Sequence, residues 1–194
     1  MDKSSLLFLL LSILYIAGIA NLASAATASN FIKSSCRTTK YPAVCVQSLS
    51  IYADTIKKSS YQLSQAALSV CLDRVVSAKT FIYRLTKFKG LKPGEKEAIR
   101  DCFDEISDSV DRLRRSIKEL KNGSSAEGQE FIWHISNVVT WVSASLTDEN
   151  TCVDGFSGKA LNGRIKRSIM TRMINIEQVT TNALSLINNY ASKY

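Results

Sequence analysis

Apolar residues recur every three or four positions through most of this chain, and long stretches pass without a proline or glycine to interrupt them. That period is the mark of amphipathic helices, and it predicts four long ones. From Gln62 to Phe88 the stripe is Leu63, Ala67, Val70, Cys71, Val75, Ala78, Ile82 and Leu85, and Gly90 and Pro93 stop it. Pro93 then suits a first helical turn, with Glu95 and Glu97 placed to complement the helix dipole. Ala98, Cys102, Ile106, Val110, Leu113, Ile117 and Leu120 carry this second stripe, which closes on the basic Lys118 and Lys121 before Asn122 and Gly123. Ser124 to Glu127 has the spacing of a capping box. The third stripe follows as Phe131, Ile135, Val138, Val142 and Leu146, expected to end before or at Cys152. The last runs through Leu161, Ile165, Ile169, Met173, Ile176, Val179, Ala183, Leu186 and Tyr190.

Ahead of these lies a shorter segment, Phe31 to Tyr52, split by Pro42 into halves too brief to be stable helices alone. A bridge from Cys36 to Cys45 would close them into a hairpin, stabilising it by about 2.7 kcal/mol on loop entropy. No strand period or internal repeat competes. The expected fold is all-α: an antiparallel four-helix bundle, with the N-terminal helical hairpin extending from one end.

The chain opens differently. Lys3 precedes an apolar block from Leu6 to Ala20, and small residues end at Ala23, Ser24 and Ala25. That is the layout of a secretory signal peptide, with a block shorter than the roughly 20 residues a membrane-spanning helix needs. Cleavage after Ala25 is expected, so residues 1–25 are the signal and 26–194 a single mature domain of ordinary size. Nothing after Ala25 is apolar for long enough to span a membrane, so a secreted, extracellular protein is expected.

Secretion changes what the five cysteines mean, because an oxidising compartment lets thiols persist as disulfides. Cys36, Cys45, Cys71, Cys102 and Cys152 leave one thiol over, and two bridges among them can be drawn in about 15 ways. No cysteine or histidine spacing suggests zinc, and no metal or cofactor is expected. The formal charge of +8 survives cleavage, since the signal carries one Lys and one Asp. Most of that charge is expected to be a plain solvated face; outside the cell such a surface fits acidic wall polysaccharide better than nucleic acid, for which no aromatic-interleaved basic motif is present.

Enzyme chemistry finds little to build on. The single histidine, His134, stands between Trp133 and Ile135 and reads as structural or exposed. No nucleophile elbow, phosphate-cradling loop or zinc-protease motif occurs. Asp101, Asp104, Glu105 and Asp108 share one side of the second helix. One helix face cannot place carboxylates on both sides of a bound sugar, so a solvated or partner-binding face is expected there. After the third stripe, Thr147, Asp148, Glu149, Asn150, Thr151 and Asp154 suggest a helix end or ordered turn rich in capping oxygens. Trp133 and Trp141 are expected in the core. Asn122-Gly123-Ser124 is a glycosylation sequon in an expected exposed loop.

Three blocks, in order, resemble the plant invertase and pectin methylesterase inhibitor family: CRTTKYPAVC, AIRDCFDEISDSVDRL and VVTWVSASLTDENTCVDGF. The resemblance spans essentially the whole mature chain. It implies Cys36–Cys45 and Cys102–Cys152 disulfides, with Cys71 as a buried, inert thiol. Invertase inhibitors typically carry Pro-Lys-Phe in the last helix, whereas no proline follows Pro93 here. The expected function is therefore inhibition of pectin methylesterase, with acid invertase as the alternative target. A free inhibitor is expected, not the amino-terminal region of a larger esterase. The family works through a noncovalent one-to-one complex that covers the esterase's pectin-binding groove. Carried over position by position, the partner contacts would be Asp108, Thr151 and Asp154. Ile106 stands where many members have tyrosine, so the local contact differs there.

Overall fold

In a computed structural model the described residues are 27–157 and 163–192. The proposed signal peptide and Leu161 lie outside them. Helix α1 covers residues 27–36, α2 Pro42–Leu49, and α3 is a single turn, Ala53–Ile56, reached through a 3-10 turn at Ser50–Tyr52. The four long helices are α4 (Ser60–Thr86), α5 (Pro93–Asn122), α6 (Gly128–Asp154) and α7 (Arg164–Ala191). No strand occurs among the described residues.

Consecutive long helices pack side by side and α7 closes the ring against α4. Cross-helix partners run in opposite directions along each pair. Between α5 and α6, Cys102 meets Cys152, Ser109 meets Ser145 and Glu119 meets His134. Between α4 and α7, Tyr61 meets Tyr190 and Arg74 meets Asn175. The bundle is thus antiparallel, as short connections require. Its core is the expected stripes: Val75, Ile82, Ile106, Leu113, Val138, Val142, Met173 and Leu186 are all buried.

Both disulfides form as the family resemblance implies, Cys36 with Cys45 and Cys102 with Cys152, and Cys71 is free and buried. Burial pushes the Cys71 thiol far above its ordinary range, with the neighbouring Glu149 adding to the effect. It stays protonated and unreactive.

Several local expectations are corrected. The hairpin does not project from one end of the bundle. It lies against α4 and α7, where Asn182 of α7 donates to the Tyr41 carbonyl at 2.9 Å and accepts from the Tyr41 N–H at 3.0 Å. Burial of Ile32, Cys36, Cys45 and Leu49 in the common core explains why, since a projecting hairpin would leave that apolar surface in water. The capping box at Ser124 is not made: Ser124 Oγ donates back to the Lys121 carbonyl, and α6 starts at Gly128, whose φ of +54° suits glycine. Gly123 has a different reason to be glycine. A Cβ there would sit 2.7 Å from the Cβ of His134. Asn122 is exposed as expected, but as the last residue of α5 and not in a loop. Trp133 is 58% exposed, and Trp141 only half-buried. Trp133 falls between Phe131 and Ile135, two residues from each, which turns it to the far side of the helix.

Candidate partner-binding face

The polar end of the third stripe is helix throughout, since α6 continues to Asp154. Its side chains therefore divide by helical phase, some turned inward and some outward. Asp148 faces α5, where Arg112 Nε donates to its Oδ2 at 2.6 Å. The Asp148 side chain is only 9% exposed and that of Arg112 38%. Burial raises the Asp148 pKa above the ordinary carboxylate value, against the opposing pull of Arg112.

On α5, Asp101, Glu105, Asp108 and Arg112 follow at spacings of four and three, so they share one flank beside α6. Glu105 is also raised, first by desolvation and then by repulsion from Asp148 and Asp108. Asp108 is exposed, and its negative charge acts on both Glu105 and Asp148. Thr151 is exposed one helical turn beyond Asp148, its hydroxyl donating to the Thr147 carbonyl at 3.0 Å. Two of the three expected contact residues, Asp108 and Thr151, thus stand around a single Arg112–Asp148 pair. Asp154 is exposed as well, but six residues from Asp148 it is turned by about 120° around α6.

Glu149 points the other way, into the bundle, and is 1% exposed. Its Oε1 accepts from Ser109 of α5 at 3.2 Å, from Ser145 one turn earlier on α6 at 3.1 Å and from Thr180 of α7 at 3.2 Å. Its Oε2 has no hydrogen-bond partner. Desolvation, resisted by these three hydroxyls, lifts its pKa from 4.5 to about 8. Glu149 is therefore an internal acid and takes no part in the outer face. At the opposite end of the α5–α6 pair, Glu119 accepts from Asn137 at 2.9 Å and lies 2.9 Å from His134 Nδ1. Burial alone would raise Glu119, but these two hydrogen bonds, together with electrostatic attraction to His134 and Lys118, outweigh it and hold the carboxyl below its ordinary range. His134 is accordingly a structural residue that fixes α6 on α5.

A family model described as "Plant invertase/pectin methylesterase inhibitor" matches residues 30–186. The chain belongs to that family. Among relatives, a "21 kDa protein" of Daucus carota is 50% identical over 194 residues, covering 100% of this chain and 98% of its own length. "Pectinesterase inhibitor 11" of Arabidopsis thaliana is 48% identical over 168 residues, covering 86% of this chain and 83% of its own. The crystal structure of mutant form A of a pectin methylesterase inhibitor from Arabidopsis superposes with a TM-score of 0.64 over 79% of this chain and 92% of that one, at 20% identity. This likeness shows that the family fold is kept. Among the described residues, no helix is long and apolar enough to cross a membrane and no three His, Cys, Asp or Glu side chains are grouped to hold a metal.

The resemblance of the three sequence blocks pointed to Asp108 and Thr151 but passed over Arg112, Asp148 and Glu105, the charged groups between which they stand. A signal for the inward carboxylate was present. Val138, Val142, Ser145, Glu149 and Cys152 continue the stripe at spacings of four and three, as do Cys102, Ile106, Ser109 and Leu113 on α5.

Proposed function

We propose that residues 26–194 are a secreted inhibitor of pectin methylesterase, acting in the cell wall after removal of residues 1–25. It catalyses nothing. It forms a noncovalent one-to-one complex in which the α5–α6 face lies across the pectin-binding groove of the esterase. Inhibition follows from exclusion: a rigid surface of standard size, about 800 Å² per partner, keeps the polymer from the groove without touching the reacting bonds. Asp108 and Thr151 supply outward polar contacts, and Asp154 extends them toward the end of α6.

One observation carries this reading. A chain 48% identical to a protein named a pectinesterase inhibitor presents Asp108 and Thr151 on an exposed face held in place by the Arg112–Asp148 pair and the Cys102–Cys152 bridge. The test is a titration of the oxidised mature chain against a plant pectin methylesterase and an acid invertase in parallel. Loss of methanol release near one-to-one stoichiometry is expected. Inhibition of invertase alone would move the chain to the other branch of the family, and silence against both enzymes would refute the proposal. Asp108→Ala and Thr151→Ala should each weaken inhibition about tenfold, the size expected of a central polar contact, with unchanged helical circular dichroism.

A further inference from the structure

Helix α5 has two chemically different flanks. Beside α6 it carries Asp101, Glu105 and Asp108; on the side of α4 the bundle opens into a groove of about 370 Å³. Val76, Lys79, Thr80 and Tyr83 of α4 and Phe103 and Arg114 of α5 line it. Two of its lining side chains are aromatic, Tyr83 and Phe103, with ring centroids 5.9 Å apart and planes tilted by 44°. Tyr83 is 50% exposed, so its ring face is open to a ligand. Lys79 Nζ lies 5.5 Å from the Phe103 ring and Lys87 Nζ 5.0 Å from that of Tyr83. Arg114 is paired at 3.4 Å with Asp111, both largely exposed, so the pair is weak and its guanidinium remains available. Among the described residues neither Lys79 nor Lys87 has a carboxylate partner.

We infer that this groove binds a stretch of unesterified polyuronate, an extended chain of sugar rings each bearing a carboxylate. Its volume is at the low end of the range for small-ligand sites, and its open ends let a polymer continue past it. The apolar C–H faces of the sugars lie on Tyr83 and Phe103, and the carboxylates draw Lys79 and Lys87 from the ring faces they occupy in the free protein. Arg114 offers a fork to a further carboxylate. The net charge of +8 favours encounter with an anionic chain, and the acidic α6 flank of α5 repels it. The two faces are therefore separate, and an inhibitor held on de-esterified pectin keeps its α5–α6 face free. The site needs the secretion in our functional reading only to meet its ligand; binding itself does not depend on inhibition.

The test uses the full oxidised mature chain at about 0.15 M salt. Isothermal titration compares a de-esterified oligogalacturonide, the same oligomer fully methyl-esterified, and polyglutamate as a polyanion without rings. The de-esterified oligomer should bind at least about tenfold more tightly than either of the others. Lys79→Ala with Tyr83→Ala should weaken it about tenfold while inhibition of pectin methylesterase stays unchanged, whereas Lys33→Ala with Arg37→Ala, which removes charge from exposed positions on α1 and in the turn after it, should change it less than about twofold. Three results would each overturn the assignment: no binding at this salt, equal loss in both double variants, or polyglutamate bound as tightly as the oligogalacturonide. Loss of inhibition together with loss of sugar binding would also refute the separation of the faces.

Discussion

Replacing Glu149 with glutamine should change how stability depends on pH more than how large it is. In the unfolded chain the carboxyl titrates near 4.5, and in the bundle burial holds it near 8. The folded state therefore binds a proton that the unfolded state releases over that interval. Its contribution is complete below pH 4.5 and declines as pH rises toward 8, above which no further loss occurs. At about 1.36 kcal/mol per pH unit the loss is about 2 kcal/mol by pH 6 and about 5 kcal/mol by pH 9. The groups facing Glu149 do not offset this. Ser109, Ser145 and Thr180 are neutral, Cys71 is held protonated, and Asp148 adds a like charge. Glutamine keeps the acceptor at Oε1 but places an amide where Oε2 had no partner, which costs about 1 kcal/mol at pH 4.5. Urea unfolding followed by circular dichroism from pH 4.5 to 9 should thus show Glu149→Gln slightly less stable at the acid end and clearly more stable at the alkaline end. Curves that run parallel across the whole range would refute an internal neutral acid.

Other variants test separate parts of the fold. Cys152→Ser opens a loop of 50 residues and should lower unfolding free energy by about 4 kcal/mol on loop entropy, read from the urea midpoint. Gly123→Ala forces a Cβ against His134 and should cost about 1–3 kcal/mol, with altered chemical shifts for the His134 ring. Arg112→Ala leaves Asp148 without its cation and should cost about 1–2 kcal/mol at pH 7; the carboxyl pKa of Asp148, followed by NMR, should rise further because Arg112 now holds it down.

Most of the helical architecture was legible because apolar spacing and breaker residues agreed along the chain. Pro93 begins α5 where expected, and the stripe from Ala98 to Leu120 is buried except for the half-buried Ile117. Errors arose where residue type was weighed above phase. The polar run from Thr147 to Asp154 reads by composition as a helix end or an ordered turn; it is the helix end, but Ser145, Glu149 and Cys152 keep the period of Val138 and Val142 and carry α6 past Cys152, where the stripe was expected to stop. Trp133 reads as core by composition, whereas its phase places it outside. The hairpin's position could not be read at all, because it depends on Asn182 of α7, 141 residues from Tyr41 in sequence. The outer site was half legible: Asp108 and Thr151 came from resemblance, but the Arg112–Asp148 contact joins residues on two helices, and only their antiparallel register brings them together.

The Cys102–Cys152 bridge joins an early turn of α5 to the last turn of α6 and makes the intervening chain a covalent ring. Within that ring, the two helices cannot slide past one another by a turn, so the spacing between Asp108 and Thr151 is nearly the same before and after a partner arrives. A surface that needs no ordering at the moment of contact keeps most of its contact energy for holding on. The bridge should therefore express itself in residence time: reduced protein would meet its partner at a similar rate and leave it sooner.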